Sequence, residues 1–598
     1  MKHKRISKVV LSYVIGTTVL SSTVPLTVHA APATSPVSAA TPIEHVIVII
    51  GENHTFDNLF ATYQAKHGQQ ISNLLSKGII KPDGTPGPMF GKSAQQQADN
   101  RQIYKIDPTH TDPYATLPQP QTTYATGLPP GVPDARFPAN LPNGPFQITR
   151  YVRYDAHTGD PQHRFFQMWQ QYDEGRLDLF PWVATTIGTG GQNAAPAPTP
   201  ANTFQGSEAM GFYNMQSGDA PIFRELADHY AISDNYHQPI MGGTGANFLA
   251  IVTGDLAYHN QNGQPDTPPA NQIENPDPQG GTNNFYQQDG YAGGSYVNCA
   301  DQNQPGVPAI SRYLSSLPYQ SHNNGNCAAN TYYLVNNYGL GYKADGTPQP
   351  LGPTHFTLPP QHIPTIADAL STKGVSWKWY SGGRNADGTT SSEYCGICDP
   401  LTGFTSIMTS SLKNNLVGMD ALDHDMADEK RMPAVAFVRP PESQAGHPAN
   451  ATVPDYEKFV ASLIAKVKNN RELWKKTAIL VTTDEGGGYY DSGYIQPVDF
   501  FGDGTRIPLM VVSPYARKGY VDHTYYDHVS ILKFIEANWG LQPLSARSRD
   551  NLPNPIIDTR NDPYVPMNRP AIGDLMNMFD FQHHRNDRDQ DDRRDNLR

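Results

Sequence analysis

The sequence predicts an α/β fold: a large, mostly parallel sheet flanked by helices and interrupted by long loop-rich insertions. Three observations point there. Five short apolar runs, at 46–50, 375–380, 434–438, 478–482 and 507–512, are rich in β-branched residues. An unbroken apolar run of that length suits a strand covered on both faces, as parallel sheets require. Between these runs, apolar residues recur at helical spacing over 222–229, 366–371, 456–469 and 529–538, and strand–helix alternation places helices on the faces of a sheet. The intervals 61–143 and 256–360 are instead dense in Gln, Asn, Gly and Pro with little periodicity. They read as insertions laid over the sheet, where pocket walls and lids are built.

The first thirty residues carry Lys2, Lys4, Arg5 and Lys8 ahead of an apolar run at 9–20 and end in Val28, His29 and Ala30. This is a secretory signal pattern with cleavage expected after Ala30, which places the mature chain in a periplasm or outside the cell. The run is too short and too rich in Ser and Thr for a membrane span, which takes about 20 apolar residues, so no transmembrane segment is expected in the mature chain. Losing those four cations and no acid takes the formal charge from −12 to −16. A polyanion binder shows a basic face, so nucleic acid is excluded as a partner. A phosphate-bearing substrate must then be met by a metal or by local donors. Four cysteines in an exported chain favour two disulfides over free thiols, and neighbour pairing joins Cys299 to Cys327 and Cys395 to Cys398. The alternatives for "CGIC", a redox pair or half of a zinc site, lack a second CxxC. Residues 582–598 mix charges with almost no apolar content and read as a disordered, solvated tail; His583 and His584 have no ligating neighbours there.

Three segments carry candidate chemistry. In "HVIVIIGENHTFDNLF" the apolar run stops at Gly51 and hands over to Glu52 and Asn53. In "TAILVTTDEGGGYYD" a second run ends in Asp484 and Glu485. Ligands of α/β sheets bind beyond the carboxyl ends of strands. If the two strands are neighbours, four hard oxygen donors converge there and suit one divalent cation of the Ca, Mg or Mn type rather than zinc. Each segment alone also reads as a tight turn. In "MGGTGANFLAIVTG" Thr244 falls at a helix N-terminus, where unpaired N–H groups favour phosphate and a nearby metal turns a hydroxyl into a nucleophile; the rival reading is a simple helix cap. His163, in "DPQHRFFQMWQQYDEGRLDLF", and His447, in "PPESQAGHPANA", are candidates to bind or protonate a phosphoryl group.

Taken in order, these segments and "PTIADALSTKGVSWKWYSGG", "TRIPLMVVSPYARKGYVDHTYYDHVSILKFIEANWGL" and "GDLMNMFDF" resemble the bacterial acid phosphatase and non-specific phospholipase C superfamily. The blocks "DPQHRFF", "CAANT" and "WKWYSGG" lean towards the acid phosphatase branch. The resemblance implies an alkaline-phosphatase-like core over 31–581 and one divalent metal ion held by Glu52, Asn53, Thr244, Asp484 and Glu485. It further implies Thr244 as nucleophile, with Asn53, His163 and His447 on the substrate. The implied activity is hydrolysis of phosphate monoesters through a phosphothreonine; the alternatives are a phospholipase C that cleaves phospholipid headgroup diesters and a binding protein without turnover. Two positions depart from the family pattern. Thr244 stands where many phosphatase members have serine, and Gly486 where histidine or tryptophan is frequent.

Overall fold

The structure is a computed structural model that describes residues 38–582 except 100–103, 121–132, 162, 187–206, 277–292, 449, 559 and 561. The expected signal segment and residues 583–598 of the expected tail lie outside the described residues.

The apolar runs become strands of one eight-stranded sheet. In chain order these are β1 (His45–Gly51), β2 (Ala231–Ser233), β3 (Trp377–Ser381), β4 (Leu416–Val417), β5 (Val435–Arg439), β6 (Thr477–Thr483), β7 (Leu509–Val512) and β8 (Tyr520–Asp522). Their spatial order is β4-β3-β5-β1-β6-β7-β2-β8. All neighbours are parallel except around β7, which runs antiparallel to β6 and β2. Strands β2, β4 and β8, of two or three residues each, are too short to show a period in the sequence.

Every residue of β1 and of β6 is buried, and alternation along β1 divides the interior in two. Val46, Val48 and Ile50 face a core shared with Phe248 and Ile251 of α4 (Thr244–Thr253), Leu370 of α5 (Ile366–Lys373) and Phe534 of α7 (Val529–Trp539). Ile47 and Ile49 face a second core with Phe56 of α1 (Phe56–Phe60), Phe223 of α3 (Pro221–His229) and Val460 and Leu463 of α6 (Val453–Asn469). A third cluster gathers Phe165 and Trp169 of α2 (Phe165–Tyr172) with Val297, Tyr333 and Phe501. Each such side chain contributes about 1.5–3 kcal/mol on burial, so the two-faced apolar strands hold helices on both sides. Capping boxes, Thr365 with Asp368 and Thr452 with Asp455, fix where α5 and α6 begin.

The loop-rich intervals pack onto this frame. Leu74, Ile80, Leu117 and Leu141 join the second core, and Tyr296, Leu334 and Tyr338 the first. The structure joins Cys299 to Cys327 and Cys395 to Cys398. Among the described residues, no helix is long and apolar enough to cross a membrane.

Several carboxyls outside the candidate site are largely withdrawn from solvent. Burial pushes Glu457 up to about 7 and Asp178 up to about 7, and burial together with the Asp550 carboxylate pushes Glu536 up to about 9. A carboxyl whose folded pKa exceeds its unfolded value holds its proton longer when folded. Its contribution is therefore full below about pH 4 and is lost as pH rises through the folded value. The melting temperature should fall between about pH 5 and pH 9, and Glu536→Gln should flatten the upper part of that decline. Thermal melts across this range check it; a melting temperature that climbs with pH contradicts it.

Candidate functional site

The site begins with register. Strand β1 pairs with β6 from His45↔Thr477 to Gly51↔Thr483 without a slip, so the residues that follow, Glu52 and Asp484, leave the sheet side by side. Asp484 N donates to Gly51 O at 3.0 Å, and Asn53 N donates to Asp484 Oδ1 at 3.4 Å. The chain turns at Asn53, whose φ of 59° is a left-handed conformation that asparagine tolerates better than most residues. Gly487, with φ of 57°, lies against it, and a Cβ there would stand 2.5 Å from Asn53 Cβ. A glycine at 487 is thus required by the close approach of two loops.

Thr244 is the first residue of α4, and Gly243 is its N-cap. The capping alternative therefore falls away: Thr244 Oγ1 donates to Glu485 Oε1 at 3.1 Å. The preceding turn is packed so tightly that a Cβ on Gly242 would meet Val335 O at 1.8 Å. Asn337 Oδ1 accepts from Gly245 N at 2.6 Å, which pins the first turn of the helix.

Both singled-out histidines are here. His163 is fully buried, its Nδ1 donates to Pro161 O at 2.7 Å, and its Nε2 is 3.9 Å from Glu485 Oε1. His447 Nε2 lies 3.0 Å from Asn53 Nδ2, 3.8 Å from Asp160 Oδ2 and 3.9 Å from Glu52 Oε2. Burial works against charge on His447, but the carboxylates of Asp160, Glu52 and Glu442 outweigh it and hold the imidazole above its ordinary value. Glu52, Asn53, His163, Thr244, His447, Asp484 and Glu485 thus occupy one place, although they span more than four hundred positions of the chain.

Three further side chains complete the surroundings. Arg439, at the end of β5, pairs with Glu52 and, at 3.1 Å, with Glu442. Asp160 Oδ1 accepts from Asn53 Nδ2 at 3.3 Å. His528 Nε2 donates to the Asp484 carbonyl at 2.6 Å while its Nδ1 accepts from Tyr236 at 2.7 Å; burial lowers its pKa to about 4 and keeps it neutral. Sequence reasoning passed over all three. A charged residue closing an apolar strand, as Arg439 does, was the signal available.

Glu52, Asp484 and Glu485 are at most 3% exposed, and burial followed by the Glu52 charge pushes Asp484 up to about 7. Among the described residues, Asn53 Oδ1 and Asp484 Oδ2 have no hydrogen-bond partner although both are buried. Buried oxygens in that state are costly unless something positive faces them. The donors are all hard oxygens, so the residues present fit a divalent cation of the Ca, Mg or Mn type. The cysteines beside Glu52 do not extend this set, because in a disulfide neither sulfur is a thiolate.

Comparison with known proteins identifies the family. Residues 43–542 match the Phosphoesterase family. The non-hemolytic phospholipase C of Pseudomonas aeruginosa is 22% identical over 96% of this chain and 63% of its own length, and phospholipase C B of Mycobacterium tuberculosis 24% identical over 90% and 78%. The acid phosphatase of Aspergillus fumigatus is 29% identical over 32% of this chain and 42% of its own length. The chain therefore spans less than two thirds of several of the curated relatives it matches. A solved structure from the alkaline phosphatase superfamily of Vibrio parahaemolyticus is 12% identical, with a TM-score of 0.26, over 55% of this chain and 63% of that one. With the family matched from just before β1 to just past α7, the chain belongs to the phosphoesterase family.

Proposed function

We propose that this chain is an exported, metal-dependent phosphoesterase that hydrolyses phosphate monoesters through a phosphothreonine at Thr244. One observation carries the reading: the Thr244 hydroxyl, at the N-terminus of α4, donates to Glu485 inside the oxygen cluster that β1 and β6 assemble. The N-terminal signal pattern supports export.

In this reading Glu52, Asn53, Thr244, Asp484 and Glu485 hold one divalent cation, which supplies Lewis acidity and charge neutralisation when bound. The Thr244 proton passes to Glu485 Oε1, its hydrogen-bond acceptor, as Oγ1 attacks phosphorus in line. The N-terminal end of α4 faces the equatorial oxygens, and donors so placed are worth about 3 kcal/mol each in comparable sites. Asn53 Nδ2 turns from His447 to a phosphoryl oxygen. That releases His447 Nε2, where the surrounding carboxylates favour a proton, to protonate the departing alkoxide. Water then hydrolyses the intermediate with the roles of acid and base exchanged. Two in-line displacements retain configuration at phosphorus.

A second reading is favoured by one observation: the phospholipases C of Pseudomonas aeruginosa and Mycobacterium tuberculosis named above match 96% and 90% of this chain, whereas the acid phosphatases of Aspergillus fumigatus and Kluyveromyces lactis match 32% and 35% of it. It assigns the same site to phospholipid headgroup diesters. The monoesterase reading expects p-nitrophenyl phosphate to be turned over faster than p-nitrophenylphosphorylcholine, and the reverse order selects the phospholipase. A binding protein without turnover would bind phosphate esters regardless of chelator and hydrolyse none.

Thr244→Ala should lower kcat by about 10³-fold or more at unchanged melting temperature, with Thr244→Ser partly active; full activity in the alanine variant removes the nucleophile assignment. His447→Gln should cost about 10²–10⁴-fold on an alkyl ester such as glycerol phosphate, yet far less on p-nitrophenyl phosphate, whose leaving group departs without a proton. An equal loss on both substrates means that His447 does not act as the acid. Dialysis against chelator should abolish turnover, and Ca, Mg or Mn should restore it.

A further inference from the structure

The disulfide that closes the "CGIC" loop touches the candidate metal site. Cys398 Sγ stands 2.9 Å from Glu52 Oε1. As half of a disulfide it has no proton to donate, so this contact is not a hydrogen bond. Glu52 and both sulfurs offer ligand atoms that all lie within 4.8 Å of one another. Cys398 is fully buried and Cys395 half-buried, so a reductant meets the pair from the Cys395 side.

The loop does not depend on the S–S bond for its shape. Tyr394 and Asp399 bracket it, and both are tied down by Arg384. Asp399 Oδ2 accepts from Arg384 Nη2 at 2.6 Å, from Arg384 Nε at 3.1 Å and from the Tyr394 hydroxyl at 2.9 Å. A Cβ on Gly383 would stand 2.4 Å from Tyr394 N, so backbone packing holds the same end. With its ends fixed and its cysteine Cα atoms 5.2 Å apart, the loop keeps two reduced sulfurs adjacent.

We propose that reduction of Cys395–Cys398 creates a second cation site, made of two thiolates and Glu52 Oε1, which takes a soft divalent ion such as Zn²⁺ or Cd²⁺. The reductant is of the dithiol class. It breaks the S–S bond by exchange, its own two sulfurs are oxidised to a disulfide, and its two hydrogens end on Cys395 and Cys398. Binding of the cation releases those two protons to solvent. Non-bonded sulfurs stand about 3.7 Å apart, which is the edge of a tetrahedron with Zn–S bonds of about 2.3 Å; Glu52 supplies the third ligand and water the fourth. The divalent ion offsets two of the three negative charges of these ligands, and Arg439, whose guanidinium contacts both Glu52 and Glu442, offsets part of the third. Glu52 belongs to both sets, so a soft ion in this site competes with a hard ion on the oxygen cluster. The site is independent of whether the chain hydrolyses phosphate esters.

The test reads metal rather than turnover. The purified chain is reduced with dithiothreitol, desalted under argon and titrated with Cd²⁺, following the ultraviolet thiolate-to-cadmium charge-transfer band. The reduced chain should bind one more Cd²⁺ with this band than Cys395→Ser/Cys398→Ser, which keeps the reduced Cys299 and Cys327, and the oxidised chain should show none. Should that double variant not fold, Cys395→Ser alone should show a clearly weaker band than the reduced chain. Glu52→Gln should keep the band but weaken Cd²⁺ binding at least tenfold. A band that persists at full strength without Cys395, an affinity unchanged by Glu52→Gln, or no band in the reduced chain overturns the proposal.

Discussion

The parallel pairing of β1 with β6 is the constraint on which the rest depends. Seven consecutive residue pairs run in register from His45↔Thr477 to Gly51↔Thr483, and both strands end at the same level. Glu52 and Asn53 therefore leave the sheet beside Asp484 and Glu485, which lie more than four hundred residues away in sequence. Because side chains alternate along a strand, a slip of one residue would turn both apolar sets inside out. Burial on two faces thus fixes the register, and the register fixes the distance between the acids. The apolar residues that stabilise the fold and the polar residues that define the site are two results of one pairing.

That arrangement concentrates negative charge where water is scarce. Burial raises both Glu52 and Asp484, and a second carboxylate adds to it in each case, Glu442 for Glu52 and Glu52 for Asp484. Arg439 opposes it at one end, reaching Glu52 from the end of β5, the neighbouring strand on the other side of β1. A buried pair of this kind adds little net stability, but removing one partner leaves an uncompensated charge that costs about 3–5 kcal/mol. Arg439 neutralises only one of three carboxylates. Two buried oxygens without a hydrogen-bond partner among the described residues, Asn53 Oδ1 and Asp484 Oδ2, fit the proposed cation as well.

Much of this was legible in the sequence, for identifiable reasons. The runs at 46–50, 434–438 and 478–482 announced themselves because strands covered on both faces carry no polar alternation. Glu52, Asn53, Asp484 and Glu485 stood out because acids that follow such runs interrupt them sharply. Strands β2, β4 and β8 did not, since two or three residues cannot display a period. Asp160 and His528 were hidden for another reason: they act through a side-chain amide and a backbone carbonyl of other site residues, and such contacts leave no spacing signature. The neighbourhood of Cys398 and Glu52 was equally invisible, because it arises between two loops separated by 346 positions.

Thr244 shows how a small backbone detail decides between two uses of one residue. A threonine at the cap position would spend its hydroxyl on the backbone N–H groups of the first turn. Here Gly243 occupies the cap, in extended conformation and without a side chain, and the helix begins at Thr244 instead. Gly242 and Gly243 fit because Val335 O and Asn337 crowd the positions where their Cβ atoms would be. The shift of one residue leaves the Thr244 hydroxyl pointing at Glu485 and leaves the side-chain contact to the first turn to Asn337, whose Oδ1 accepts from Gly245 N. A hydroxyl aimed at a carboxylate and the positive end of a helix dipole are complementary in the proposed reaction: one would supply an oxygen nucleophile, and the other would favour the negative charge that its attack on phosphorus develops.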